Sequence, residues 1–154
     1  MPHALETRLA ERGLTLPDAP APAANYVPWV KSGQQVFVSG QMSQGSGGLI
    51  RGKLGADMSI EQGAEAAQHC ALSLLAQLRA AVDGDLSRLE RVVKLVGFVN
   101  CTSDFTDQPK VINGASDLLV DLLGEAGRHA RSAVGVVSLP LGVAVEIEAI
   151  FEVK

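Results

Sequence analysis

Apolar positions change their period along the chain, and each change marks an element. From Ile60 to Val82 they fall at Ile60, Ala64, Ala67, Ala71, Leu74, Leu78 and Val82, the three-or-four spacing of one helix face. Ser59-Ile60-Glu61-Gln62 supplies a capping box at the start and Asp83-Gly84 a stop at the end. The stripe is rich in alanine, so a sheet or another helix can approach closely. A second helix is predicted from near Asp107, where Pro109 suits a first turn, through Val111, Ala115, Leu118 and Leu122 to Gly124 and Gly127. Near the C-terminus the period drops to two: Val145, Ile147, Ala149, Phe151 and Val153 alternate with Glu146, Glu148, Ile150 and Glu152, a strand with one apolar and one carboxylate-bearing face. Arg91–Asn100 and Arg131–Val137 read as strands, apolar on both faces over Val92–Val99 and Ala133–Val137.

The N-terminal part is less regular. Ala4 to Leu14 has weak helical spacing at Leu5 and Leu9, and Pro17, Pro20, Pro22 and Pro28 then exclude a helix. An extended arm on the surface is expected there. A strand from Tyr26 to Lys31, a turn at Ser32-Gly33 and a strand from Gln35 to Ser39 follow, as a hairpin. Five glycines between Gly45 and Gly55 predict a flexible loop, with a short strand at Leu49–Gly52, that could act as a lid. The organisation is an N-terminal helix and Pro-rich arm over 1–24 and one domain over 25–154. The order β-β-(β)-α-β-α-β-β predicts an α+β domain, a mixed sheet with both helices on one face. Because two strands are apolar on both faces, the other side of the sheet should also be covered, and a second subunit is the simplest cover.

Composition narrows the function. The 154 residues are 47% hydrophobic and 19% charged, an ordinary globular balance. No apolar run is long enough for a membrane helix, and MPHALETRLAERG carries charges where a signal peptide needs apolar residues, so a soluble, cytoplasmic protein is expected. A net charge of −4 opposes nucleic-acid binding. Cys70 and Cys101, with no CxxC spacing and no clustered histidines, support neither a zinc site nor a structural disulfide.

No GxSxG, P-loop, HExxH or strand-to-helix GxGxxG is present. The chemistry-bearing residues that remain are Arg131, at the start of a strand after Arg128-His129, Glu146 and Glu148, Tyr26, and Ser39-Gly40-Gln41 at a strand end. An arginine there can bind a carboxylate through two parallel hydrogen bonds, or can simply make a surface salt bridge. Spacing leaves both open.

The run Ala130-Arg131-Ser132-Ala133-Val134, then Leu139-Pro140 and Val145-Glu146-Ile147-Glu148-Ala149-Ile150, with Asn25-Tyr26, Val38-Ser39-Gly40-Gln41 and Val96–Asn100, resembles the RidA (YjgF, "endoribonuclease L-PSP") family of reactive-imine deaminases. The likeness spans about Tyr26 to Val153. It implies a chorismate-mutase-like fold, a homotrimer with a central β-barrel, and ligand clefts at subunit interfaces. It also implies hydrolysis of 2-imino or 2-enamino acids to 2-keto acids and ammonium with no cofactor and no metal. By that resemblance Arg131 binds the substrate carboxylate, Glu146 positions or activates water, Tyr26 lines the cleft, Ser39 and Gly40 belong to the loop closing it, and Asn113 lies nearby. Ala133 stands where active members often carry cysteine, Gly135 where many carry glutamate, and Asn25 where proline often precedes the tyrosine. The arm and glycine-rich loop are longer than in short members.

Three other functions compete. One is a non-catalytic trimer that captures a small carboxylate or a partner protein. RNA cleavage would need paired proton-transfer groups and a cationic surface, whereas His3, His69 and His129 lie in a tail, a helix and a loop. Chorismate mutase chemistry would want more cations than Arg128 and Arg131.

Overall fold

The computed structural model describes residues 4–154; His3 lies outside them. Helix α1 (Ala4–Glu11) is followed by an arm without regular structure, then by strands β1 (Trp29–Ser32), β2 (Gln35–Met42) and the short pair β3 (Gln44–Gly45) and β4 (Gly48–Leu49). Helix α2 (Ile60–Ala81), β5 (Leu89–Asn100), α3 (Gln108–Leu123), β6 (Ala130–Val136) and β7 (Val145–Val153) complete the chain. The main sheet has the order β1-β2-β7-β5-β6, parallel only between β5 and β6. The β5-α3-β6 unit is therefore a crossover of the kind parallel pairing requires.

The capping box forms: Ser59 Oγ accepts from the Gln62 amide at 3.2 Å, and the Ser59 amide donates to Gln62 Oε1 at 2.9 Å. Burial on α2 extends beyond the predicted stripe to Ala66, Cys70, Leu75 and Gln77, because β2, β7 and α3 all pack around it. Close approach of α3 depends on Gly114, where a Cβ would lie 1.9 Å from the Ala64 carbonyl oxygen. On β7 the predicted alternation holds, with Val145, Ile147, Ala149, Phe151 and Val153 buried.

The other face of the sheet has no cover from the described residues, and Val30, Phe37 and Val134 are 52%, 41% and 45% exposed on it. Helix α1 packs against α3 through buried Leu5 and Leu9, and Arg8 Nη1 donates to the Leu122 carbonyl at 2.7 Å. The arm lies on α2, where Gln77 Nε2 donates to Pro20 O at 2.7 Å and Arg79 Nη2 to Pro17 O at 3.0 Å. None of the helices is long and apolar enough to cross a membrane among the described residues.

Three expectations change. The first strand begins at Trp29 and not at Tyr26, because Pro28 lacks the amide a ladder needs and the chain turns at Ala24–Tyr26. Strand β2 runs on past Ser39 to Met42, since pairing with β7 continues across a bulge between Val38 and Gln41; Ser39 and Gly40 therefore sit within a strand, not in a closing loop. The Gly45–Gly55 segment is held in place. Lys53 Nζ donates to Asn100 Oδ1 at 2.7 Å and Val137 O at 2.6 Å, Arg51 pairs with Val143, and Leu54 is fully buried. Its exposed residues are the tip, Ser46–Gly48, together with Arg51 and Gly55, and the anchored stretch between them leaves no lid of the expected length.

Candidate functional site

Arg131 is the second residue of edge strand β6 and half-buried. Its side chain turns to the helix layer, where Nη1 donates to Ser116 Oγ at 3.0 Å and Nη2 to the Pro109 carbonyl at 3.2 Å. Both acceptors are neutral, so the contacts hold the guanidinium without cancelling its charge. A surface salt bridge does not explain this arginine. Pro109, Asn113 and Ser116 follow one another at helical spacing along one face of α3, and Asn113 is exposed between the two residues that hold Arg131. Ala133 shares the Arg131 side of β6 by strand alternation. Gly135 shares it too, and a Cβ there would lie 2.6 Å from Cys101 Sγ and 2.7 Å from Gln108 Nε2, so a side chain at that position would have to displace those two.

Glu146 belongs to a different environment. It lies on the uncovered face of β7, opposite Phe98 of β5 and Met42 of β2. Its carboxylate covers Gly40: a Cβ on that glycine would be 2.9 Å from Glu146 Oε2. Burial, with the Glu148 charge as a second cause, raises the Glu146 carboxyl above the usual carboxylate range. The Cys70 thiol behind it is raised further, by burial first and then by Glu146, and is inert as a nucleophile. Ser39 pins the bulge, with its amide donating to Pro28 O and its hydroxyl to Val27 O, both at 2.9 Å.

Tyr26 and Gly40 line a cavity of about 750 Å³ between the arm, β2 and α2. Leu16, Met42 and Leu72 give it apolar walls, and Gln41 and His69 polar ones. The predicted residues thus fall into two groups. Tyr26, Ser39, Gly40 and Glu146 meet around the β2 bulge; Arg131, Asn113 and Ala133 meet where β6 faces α3. Within one chain the groups stay apart, because Arg131 points to the helix layer and Glu146 to the uncovered face two strands away. Sequence reading missed Ser116 and the Pro109 carbonyl; the available signal was the helical spacing from Pro109 to Ser116 beside a strand-borne arginine. Among the described residues no cluster of three metal-ligating side chains occurs.

The family model that matches, YjgF/chorismate mutase-like endoribonuclease, covers residues 6–151. The chain belongs to the YjgF/RidA family. Its fold is accordingly the chorismate-mutase-like α+β fold, three helices packed on a mixed sheet. Protein TCP17 of Trypanosoma cruzi is 51% identical over 148 residues, 95% of this chain and 92% of that protein. The crystal structure of Atu1372 from Agrobacterium tumefaciens, of unknown function, is 48% identical and superposes with a TM-score of 0.90 over 98% of this chain and 94% of that one. E. coli TdcF, solved with bound serine, is 26% identical and superposes at a TM-score of 0.58 over 88% of this chain and 93% of that one.

Proposed function

We propose that this protein hydrolyses reactive 2-imino and 2-enamino acids to 2-keto acids and ammonium, in clefts completed between the subunits of a homotrimer. The observation that carries the reading is the state of Arg131. Neutral acceptors hold two of its five N–H groups and leave the rest of the fork, with its full charge, for a carboxylate. A small amino acid bound to TdcF supports a ligand of that kind. The two separated groups of site residues support a shared cleft, since a neighbouring copy docked on the uncovered apolar face can bring its own Glu146, Tyr26 and Gly40 to this chain's Arg131 and Asn113.

In the reaction, Arg131 binds the carboxylate and Glu146 accepts a proton from water as its oxygen adds to C2 of the imine. That proton passes to the nitrogen of the adduct formed from the protonated imine, the C–N bond breaks as the C2 hydroxyl gives its proton to the departing ammonia, and 2-keto acid and ammonium leave. Imine hydrolysis is already fast in water, so orienting substrate and one water by a few kcal/mol is enough. RNA cleavage has less support, because His69 lines the arm cavity while His129 packs between α3 and β6, so among the described residues no histidine pair flanks a phosphate.

The test couples a serine-degrading pyridoxal-phosphate enzyme to this protein and follows imine loss spectroscopically. Wild type should accelerate the decay, Arg131→Ala should not, and Glu146→Gln should turn over slowly while still binding a keto acid. No rate above buffer on imines from several amino acids would replace this reading with the non-catalytic binding module.

A further inference from the structure

Arg131 stands at the end of a hydrogen-bond chain whose direction is set by a group that can only accept. The Gly127 carbonyl lies 2.6 Å from His129 Nδ1, so Nδ1 carries the ring proton and Nε2 offers a lone pair. Ser116 Oγ is 2.9 Å from that Nε2 and donates its hydroxyl hydrogen to it. Its own lone pairs then face Arg131 Nη1, which donates at 3.0 Å. Burial outweighs the Gly127 hydrogen bond, which raises the His129 pKa, and with the neighbouring Arg131 charge lowers it below the ordinary histidine value, which favours the neutral ring this pattern needs. The Gly127 carbonyl is itself fixed. The backbone passes so close to α3 that a Cβ at 127 would lie 2.3 Å from Leu119 O.

We infer that Ser116 and His129 are positioning residues: through this chain they fix which edge of the Arg131 guanidinium faces the substrate carboxylate. The inference rests on the reading of Arg131 given above and assigns a role to two residues outside it. A serine within a helix commonly donates to the carbonyl one turn back. His129 takes that hydrogen instead and makes Ser116 an acceptor for the arginine. The Pro109 carbonyl holds the other terminal nitrogen, so the guanidinium plane is set before ligand arrives and little rotamer freedom remains to be lost on binding.

Pyruvate serves as the probe, titrated into the full chain as wild type, Ser116→Ala, Ser116→Thr, His129→Phe and Arg131→Ala. Loss of the acceptor in Ser116→Ala, or of its orientation in His129→Phe, should weaken binding about tenfold, and in the imine assay the loss should fall on KM more than on kcat. Ser116→Thr, which keeps the hydroxyl, should stay within about twofold of wild type. Nitrogen-15 spectra should show His129 protonated on Nδ1, and Arg131 side-chain N–H signals that are resolved in wild type and averaged in Ser116→Ala. Wild-type affinity in both Ser116→Ala and His129→Phe, with binding lost in Arg131→Ala, overturns the positioning role and leaves the anchor standing. Unchanged affinity in Arg131→Ala, or no pyruvate binding by wild type, overturns the anchor and this inference with it. A ring proton on Nε2, or Arg131 signals unaltered by Ser116→Ala, overturns the inference even if His129→Phe does not fold.

Discussion

The two groups of site residues are built in opposite ways. Around Arg131, a parallel strand pair, the helix between them and the turn that follows it place the partners, and each link of the Arg131–Ser116–His129–Gly127 chain has a defined donor and acceptor. Around Glu146, position depends on a bulge, on an arm without regular structure and on Tyr26, which is 46% exposed beside a large cavity. Fixed geometry suits the carboxylate that every substrate of the proposed reaction shares. In that proposed reaction the looser region would face the attacking water and the part of the substrate that varies.

The comparison breaks most sharply if the two regions act across a subunit boundary. Wild type should then run near three times 16.1 kDa by light scattering. Val134→Asp, placing a charge on the uncovered apolar face, should give a folded monomer with activity reduced more than about a hundredfold, since neither region is complete alone. Mixing denatured Arg131→Ala and Glu146→Gln chains and refolding them should restore up to about a quarter of wild-type activity, the share of random interfaces that pair an intact arginine with an intact glutamate. No recovery in refolded mixed trimers would place both residues' work within one subunit.

Gly40→Ala separates the two regions next. A Cβ there must displace the Glu146 carboxylate, while nothing near Arg131 changes. Turnover should fall about tenfold and pyruvate affinity should hold within about twofold; equal losses in both would show that the regions are not independent.

How much of this was legible depends on periodicity. The Ile60–Val82 stripe and the β7 alternation fix elements because their hydrophobic period matches their geometry, and Arg131, Glu146 and Gly40 follow from strand position and family likeness. What escaped was set by contacts remote in sequence. The glycine-rich segment looked loose, yet it is held by Lys53 reaching Asn100 and Val137. Ser116 gained its role from His129 and Arg131, thirteen and fifteen residues away. The start of β1 was misplaced because a β-like composition from Tyr26 onward outweighed the missing amide of Pro28.

Titration offers a finer comparison, because burial pushes one group in each region toward its neutral form. Glu146 is raised, so as a base it should lose activity as pH falls through a value above the ordinary carboxylate range. Glu148→Gln, which removes the second cause, should move that limb to lower pH, and an unmoved limb would assign it to another group. His129 is lowered from 6.5. A base whose folded pKa is depressed contributes stability above its unfolded pKa that is lost as pH falls toward the folded one. Unfolding midpoints of wild type should therefore decline below about pH 6.5, and those of His129→Phe should decline less.

The smallest effect belongs to Tyr26, and it separates hydroxyl chemistry from ring packing on the looser side. Among the described residues the Tyr26 hydroxyl makes one hydrogen bond, accepting from the Ala23 amide at a long 3.4 Å, and the side chain is well exposed. Tyr26→Phe should therefore change stability by less than about 0.5 kcal/mol. If the ring serves only as a wall of the arm cavity, Tyr26→Phe should also keep kcat/KM within about twofold, and Tyr26→Ala should alter the ranking of imines by side-chain size, since an apolar wall discriminates each methylene by about 1–3 kcal/mol. A loss of more than about tenfold in Tyr26→Phe would instead give the hydroxyl a direct part in handling the water or the leaving ammonia, and would move Tyr26 from the cavity wall to the reacting atoms beside Glu146.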